Sequence, residues 1–215
     1  RNEVIELLAE EAGHREEVAR LTDLTMSGDL DYSEALKERV ALLQGTNTAA
    51  IDRAIDRMIL TPGARTFVRT LRRLGYRIAI ISGGFTHFTD KLAEELKLDH
   101  AHANRLEIID GVITGRITGK IVDAQEKARL LEAIAEAEGV PLEQTVAVGD
   151  GANDLPMLQK AGLGIAFNAK PILRGAADTA VNVPYLDAIL FMLGVTREEV
   201  EAADASDTPD DSYAA

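Results

Sequence analysis

From Thr61 to Leu193 the chain alternates short β-branched runs with helix-period stretches, and this alternation limits the fold more than any other feature. "TPGARTFVRTLRRLG" opens on a proline suited to a helix start and stops at Gly75. "RIAIISGGF" follows as a buried strand closed by a glycine turn, then a helical stretch from about Thr86 to Lys97. "LEIIDGVITGRI" reads as a hairpin, because Asp110-Gly111 suits a type I′ turn between β-branched runs. A helix is expected over 124–138, ending at Gly139, and a strand over 145–149. A helix from about Asp154 to Lys160, the short strands "GLGIAF" and "TAVNV" and a helix over 187–193 complete the series. Such a pattern predicts an α/β protein: a parallel sheet with helices on both faces.

Residues 15–60 are of another kind. "YSEALKERVALL" sets Leu36, Val40 and Leu43 at helical spacing, and "TAAIDRAIDRMI" repeats the pattern with Ile51, Ile55 and Met58. No strand signal interrupts this block, which reads as a small module of about three helices. The chain opens at Arg1, already close to a helical pattern with Val4, Ile5, Leu7 and Leu8, and reads as a piece of a longer protein. The final stretch, 204–215, is polar and acidic and is expected to be disordered.

Charge narrows the partners. The formal net charge is −13, of which residues 197–215 supply −6, so the body is acidic as well. Nucleic acid and anionic membrane are therefore poor partners. No apolar run approaches the ~18 residues that span a bilayer, and the absence of cysteine excludes disulfides and thiolate metal sites. A reducing, cytoplasmic setting is expected.

In open α/β sheets, ligands sit beyond the carboxyl ends of the strands. Two strands here end in glycine loops, "IISGGF" and "AVGDGANDLPM". Taken alone, Ser82-Gly83-Gly84 is a tight turn with a capping serine, and its functional alternative is a hydroxyl and N–H groups that bind a phosphate. The second loop is harder to treat as a plain turn. A turn needs one Asp or Asn, whereas Asp150, Asn153 and Asp154 crowd this strand tip, and clustered carboxylates repel unless a cation sits among them. Hard oxygen ligands without Cys or His point to Mg²⁺, with Asp150 as ligand and Asp154 in support. Lys127 and Arg39 would by default be solvated helix cations. His100 and His102 lack a third ligand at a recognised spacing and read as surface or edge residues.

The stretches "ISGGF", "AQEKARLL" with Lys127, and "VGDGANDLPML" resemble three motifs of the haloacid-dehalogenase-like phosphatases. "RNEVIELLAEEAG", "DYSEALKERVALL" and "GLGIAFNAKP" are similar to the branch of that family that hydrolyses L-phosphoserine. The resemblance implies a Rossmann-like core over 61–203, a first core segment ending in 1–12, and an all-helical cap over 13–60. It implies an aspartyl-phosphate mechanism with Mg²⁺, as the last step of serine biosynthesis. The family's D-x-D-x-T motif, which carries the nucleophile and the acid–base aspartate, is absent and would fall just upstream of Arg1, on a strand between those ending at Ser82 and Asp150.

By the same resemblance, Lys127 and Ser82 are catalytic, and Ser82, Gly83, Lys127 and Asn153 hold the phosphate. Glu3 receives the substrate ammonium, Arg39 grips its carboxylate, and Met26 and Tyr32 line the pocket. A homodimer is compatible with it. Two alternatives stay open: a relative acting on another small phosphate ester or transferring the phosphoryl group, and a non-catalytic phosphate-binding module.

Overall fold

The computed structural model describes residues 4–27 and 31–206. Four helices come first: α1 (Val4–Ala12), α2 (Arg15–Ser27), α3 (Tyr32–Ala41) and α4 (Ala49–Asp56). Asp31 starts α3 by accepting the N–H groups of Ser33 and Glu34, which have no partner within the helix. Leu36, Val40 and Leu43 turn inward as their spacing predicts.

The first strands are β1 (Ala79–Phe85), β2 (His100–Ile109) and β3 (Val112–Thr118), with β1 parallel to β2 and β2 antiparallel to β3. The β2–β3 turn has positive φ at both Asp110 (51°) and Gly111 (77°), the geometry of a type I′ hairpin. Leu8, Val18, Leu36, Val40 and Ile51 share one apolar cluster with Phe85, Phe88, Leu106 and Ile113 of the sheet side. Backbone bonds clamp the segment after α3 to the hairpin: Gly45 N–H to Ile113 O, Ile113 N–H to Thr46 O, and Thr48 N–H to Gly111 O. Gly115 permits this approach, since a Cβ there would lie 3.0 Å from Gln44 Cβ.

A second sheet holds β4 (Val146–Gly149), β5 (Leu163–Phe167) and β6 (Thr179–Val181), all parallel and in that order. Helices α5 (Ala64–Arg73), α6 (Thr86–Leu96), α7 (Ala124–Ala137) and α8 (Leu155–Lys160) connect and cover the strands. The mixed α/β architecture with parallel pairing agrees with the sequence pattern, with two differences.

The expected single sheet is, among the described residues, two three-stranded sheets, and β1 and β4 each keep one unpaired edge. For that reason β1 is only half-buried over most of its length, whereas β5, paired on both sides, is buried from Gly164 to Phe167. Ile81 of β1 nonetheless packs against the cluster containing Ala147 of β4, so side chains of the two strands share one core.

The second difference lies at the end of the chain. After α9 (Pro171–Arg174) and α10 (Ala188–Met192), helix α11 runs from Arg197 to Ser206 and takes in Asp204, which was expected to be disordered. Asp204 forms an ion pair with Arg69 of α5, and buried Ala203 seats the helix. The rest of the expected tail, 207–215, lies outside the described residues.

Candidate active site

The strand tip at Gly149 shows why its loop has this composition. Asp154, at the end of a 3₁₀ turn over Ala152–Asp154, folds back onto the end of β4. Its Oδ2 accepts the N–H groups of Asp150 (3.0 Å) and Gly151 (3.1 Å), and its Oδ1 accepts Lys127 Nζ (2.7 Å). Lys127 and Asp154 are only 5% and 6% exposed. A buried charge pair is tolerable only when its remaining polar atoms are also bonded, and Asp154 meets that condition on both oxygens. Gly149 must lack a side chain, because a Cβ there would lie 2.5 Å from Asp154 Cβ. Asp150 is exposed, and its carboxylate bonds no other described residue. Asn153 is half-buried with its amide oxygen turned over Gly151, where a Cβ would approach it to 2.5 Å.

The other loop is held from several sides. Ser82 Oγ accepts the Gly84 N–H at 3.0 Å. The Gly83 carbonyl accepts Asn104 Nδ2 at 2.8 Å and, more distantly, the Tyr32 hydroxyl at 3.4 Å. A Cβ on Gly83 would lie 2.2 Å from that hydroxyl. Asn104 is fully buried, and its Oδ1 accepts the Val122 N–H at 2.8 Å. One residue further on, Asp123 caps α7 by accepting the Glu126 N–H. A run of short contacts therefore joins the Ser82 loop to Asn104, to the start of α7, to Lys127, and through Asp154 to Asp150.

Glu126, next to Lys127, is held by Arg129 at 2.5–3.0 Å and by Lys120. These partners, Arg129 foremost, outweigh desolvation and lower its pKa from the ordinary 4.5 to about 2. They fix the first turn of α7 with a carboxylate that stays ionised at neutral pH.

Tyr32 and Arg39 are seven residues apart on α3, hence on one helix face. Arg39 is buried within the helical block, bonding the Ala35 carbonyl through Nε and Thr22 Oγ1 through one terminal nitrogen, both at 3.2 Å. Thr22 in turn donates to the Val18 carbonyl. Glu3 lies outside the described residues, as does the side chain of Met26 on α2. His100 pairs with Glu138 at 2.6 Å and stacks on His102, and the described residues contain no cluster of three potential His, Asp or Glu metal ligands.

Sequence reasoning missed Asn104 and Thr22. Asn104 could have drawn notice as a carboxamide inside "HANRLEII", since asparagine is depleted in strands. Thr22 carried no such signal.

Residues 2–159 match the model of the haloacid dehalogenase-like hydrolase family. The phosphoserine phosphatase of Streptomyces coelicolor is 61% identical over 203 residues, covering 94% of this chain and 50% of that protein. Phosphoserine phosphatase SerB2 of Mycobacterium tuberculosis is 56% identical over 205 residues, covering 95% and 50%. This chain thus spans about half the length of both relatives. The phosphoserine phosphatase of Methanocaldococcus jannaschii is 45% identical over 189 residues, covering 88% of this chain and 90% of that one. Among solved structures, a substrate-bound phosphoserine phosphatase complex and a phospho-aspartyl intermediate analogue of phosphoserine phosphatase each superpose with a TM-score of 0.84. Both are 44% identical, over 91% of this chain and 92% of theirs.

Proposed function

Since this chain belongs to the haloacid dehalogenase-like hydrolase family, we propose that it forms most of the active site of a Mg²⁺-dependent phosphatase converting L-phosphoserine to L-serine and phosphate. The observation that carries the reading is the buried Lys127–Asp154 pair beside the exposed Asp150 carboxylate. It fixes a cation at the strand tip and leaves a hard oxygen ligand next to it.

Lys127 directs one of its three N–H bonds to Asp154, which leaves two for the oxygens of a phosphoryl group. Ser82 Oγ already accepts from Gly84, so its own O–H can donate to the phosphate, beside the Gly83 N–H. Asn153 would add a donor from the second loop. Asp154 would hold Lys127 in place and, with the acceptor site left on Oδ1, would support the water shell of the metal from behind Asp150.

Asp150 fits as one ligand of Mg²⁺. With no cluster of three ligands among the described residues, the others would come from elsewhere in the protein. When bound, Mg²⁺ offsets the repulsion between an attacking carboxylate and a phosphate, about 4 kcal/mol for unit charges at ~4 Å and an effective dielectric of 20. The nucleophilic and acid–base aspartates belong, in this proposal, to a D-x-D-x-T strand before Arg1. The unpaired edges of β1 and β4, two strands whose side chains share one core, support it.

The helical block over 13–60 would act as a cap on the core over 61–203. Arg39 would grip the substrate carboxylate in a two-pronged bond, Glu3 would take the ammonium, and Met26 and Tyr32 would close the pocket. A place in serine biosynthesis, cytoplasmic residence and a homodimer complete the proposal. No helix among the described residues is long and apolar enough to cross a membrane. The test is phosphate release from L-phosphoserine by the full-length protein, with and without Mg²⁺.

A further inference from the structure

The ladder between β1 and β2 is in register at Ile81 with His102 and again at Phe85 with Asn104. Three residues, Ser82, Gly83 and Gly84, therefore stand against Ala103 alone. The extra residues bulge, and a bulge leaves backbone groups without their ladder partners. Asn104 meets the need from the neighbouring strand. Its Nδ2 donates to the Gly83 carbonyl at 2.8 Å, and its Oδ1 accepts the Val122 N–H at 2.8 Å. A carbonyl requires a donor and an N–H requires an acceptor, so both ends of the amide are assigned by the network. Asparagine alone suits a site this short. Aspartate would set an acceptor against the carbonyl, and an aliphatic residue would leave two buried polar groups unbonded.

The two groups that Asn104 joins belong to different parts of the site. Gly83 lies in the loop carrying Ser82. Val122 precedes Asp123, the cap of α7, whose fourth residue is Lys127. Lys127 N–H also bonds the Asp123 carbonyl, so the placement of Val122 and Asp123 is passed directly to the lysine.

Resting on the function proposed above, we propose that Asn104 is a positioning residue which sets the spacing between the Ser82–Gly83 donors and the Lys127 ammonium, so that both meet one phosphate at once. Asn104 touches no substrate atom; it acts through the two backbone groups it bonds. Donors that are aligned contribute to the rate only in the right geometry, and misplacement by about 1 Å can cost roughly 100-fold.

The test is a double-substitution cycle on the full-length protein with L-phosphoserine and Mg²⁺, at a temperature where circular dichroism shows every variant folded. Asn104→Asp should lower kcat/KM by about 100-fold in the parent. In a Ser82→Ala background the same change should cost at least about 5-fold less than in the parent, because the hydroxyl it misplaces is already gone while the Gly83 N–H remains. A general structural role would give the same loss in both backgrounds, and that result overturns the proposal. So does an Asn104→Asp enzyme within about 3-fold of the parent.

If Asn104→Asp does not fold, hydrogen exchange on the unaltered protein decides. Inorganic phosphate with Mg²⁺ should slow exchange at the Gly84 and Val122 amides together, whereas protection confined to Gly84, or absent from both, overturns the coupling. An unaltered protein inert towards L-phosphoserine would refute the substrate assignment instead, and the exchange measurement with inorganic phosphate would still judge Asn104.

Discussion

Lys127 Nζ lies 2.7 Å from Asp154 Oδ1, while the other oxygen of the same carboxylate holds the N–H groups of Asp150 and Gly151. One aspartate thereby fixes both the lysine and the turn that presents Asp150. The arrangement costs desolvation, which the hydrogen bonds on both carboxylate oxygens offset.

Removing the two partners should have unequal effects on stability. Asp154→Ala strands a buried ammonium and two N–H groups, and should destabilise by about 3–5 kcal/mol in urea unfolding. Lys127→Ala leaves the carboxylate with its two N–H donors, and should cost less. Equal losses would contradict the claim that Asp154 organises the turn as well as the lysine.

Glu126 links stability to acid. Its pKa in the folded protein is lowered from 4.5 to about 2, so the folded state takes up the proton less readily than the unfolded chain. The stabilisation is full above pH 4.5 and is lost as the pH falls from there towards 2. In Glu126→Gln that share of the acid sensitivity should vanish. Melting temperatures of the two proteins should converge below pH 4.5, whereas curves that stay parallel down to pH 2 would exclude Glu126 as the cause.

Gly83 and Tyr32 form a steric pair that can be tested by rescue. Gly83→Ala drives a methyl group to 2.2 Å from the Tyr32 hydroxyl and should destabilise by about 1–3 kcal/mol. Adding Tyr32→Phe removes the clashing oxygen and leaves the ring carbon at an acceptable 3.4 Å. Most of the loss should return in thermal denaturation of the double variant. No recovery would mean that α3 does not rest on this loop.

Substrate choice should depend on the helical block. Arg39→Ala is expected to lower kcat/KM for L-phosphoserine by about 10- to 100-fold, the scale of a truncated charge-assisted contact. An aryl phosphate, with no carboxylate to grip, should be affected far less. Parallel losses on both substrates would assign Arg39 to packing with Thr22 instead, and a panel of small phosphate esters at equal concentration separates phosphoserine from other substrates.

The legible parts of this molecule were those decided locally. Asp110-Gly111 announced its hairpin because a type I′ turn needs positive φ at two successive residues. The end of β4 was legible because an apolar run stops at Gly149 and gives way to polar turn residues, of which Asp154 closes the turn by accepting the Asp150 and Gly151 N–H groups. What escaped depends on pairing between distant segments. Asn104 matters only because β1 bulges opposite it, and the register that creates the bulge cannot be read from either strand alone. The half-exposure of β1 follows from an edge with no described partner, which its apolar run, read alone, conceals. Arg39 turns to Thr22 through the packing of α3 on α2, and Asp204 stays helical through Arg69, 135 residues away.

The central claim is that Lys127, held by Asp154, serves phosphoryl transfer at the tip of β4. The most direct measurement is phosphate release from L-phosphoserine by the full-length protein and by its Lys127→Ala variant, each with Mg²⁺ and after chelation. Release by the unaltered protein with Mg²⁺, and in none of the other three samples, is the expected result. An inert parent, or a Lys127→Ala enzyme that turns over at the parent's rate, would contradict the account.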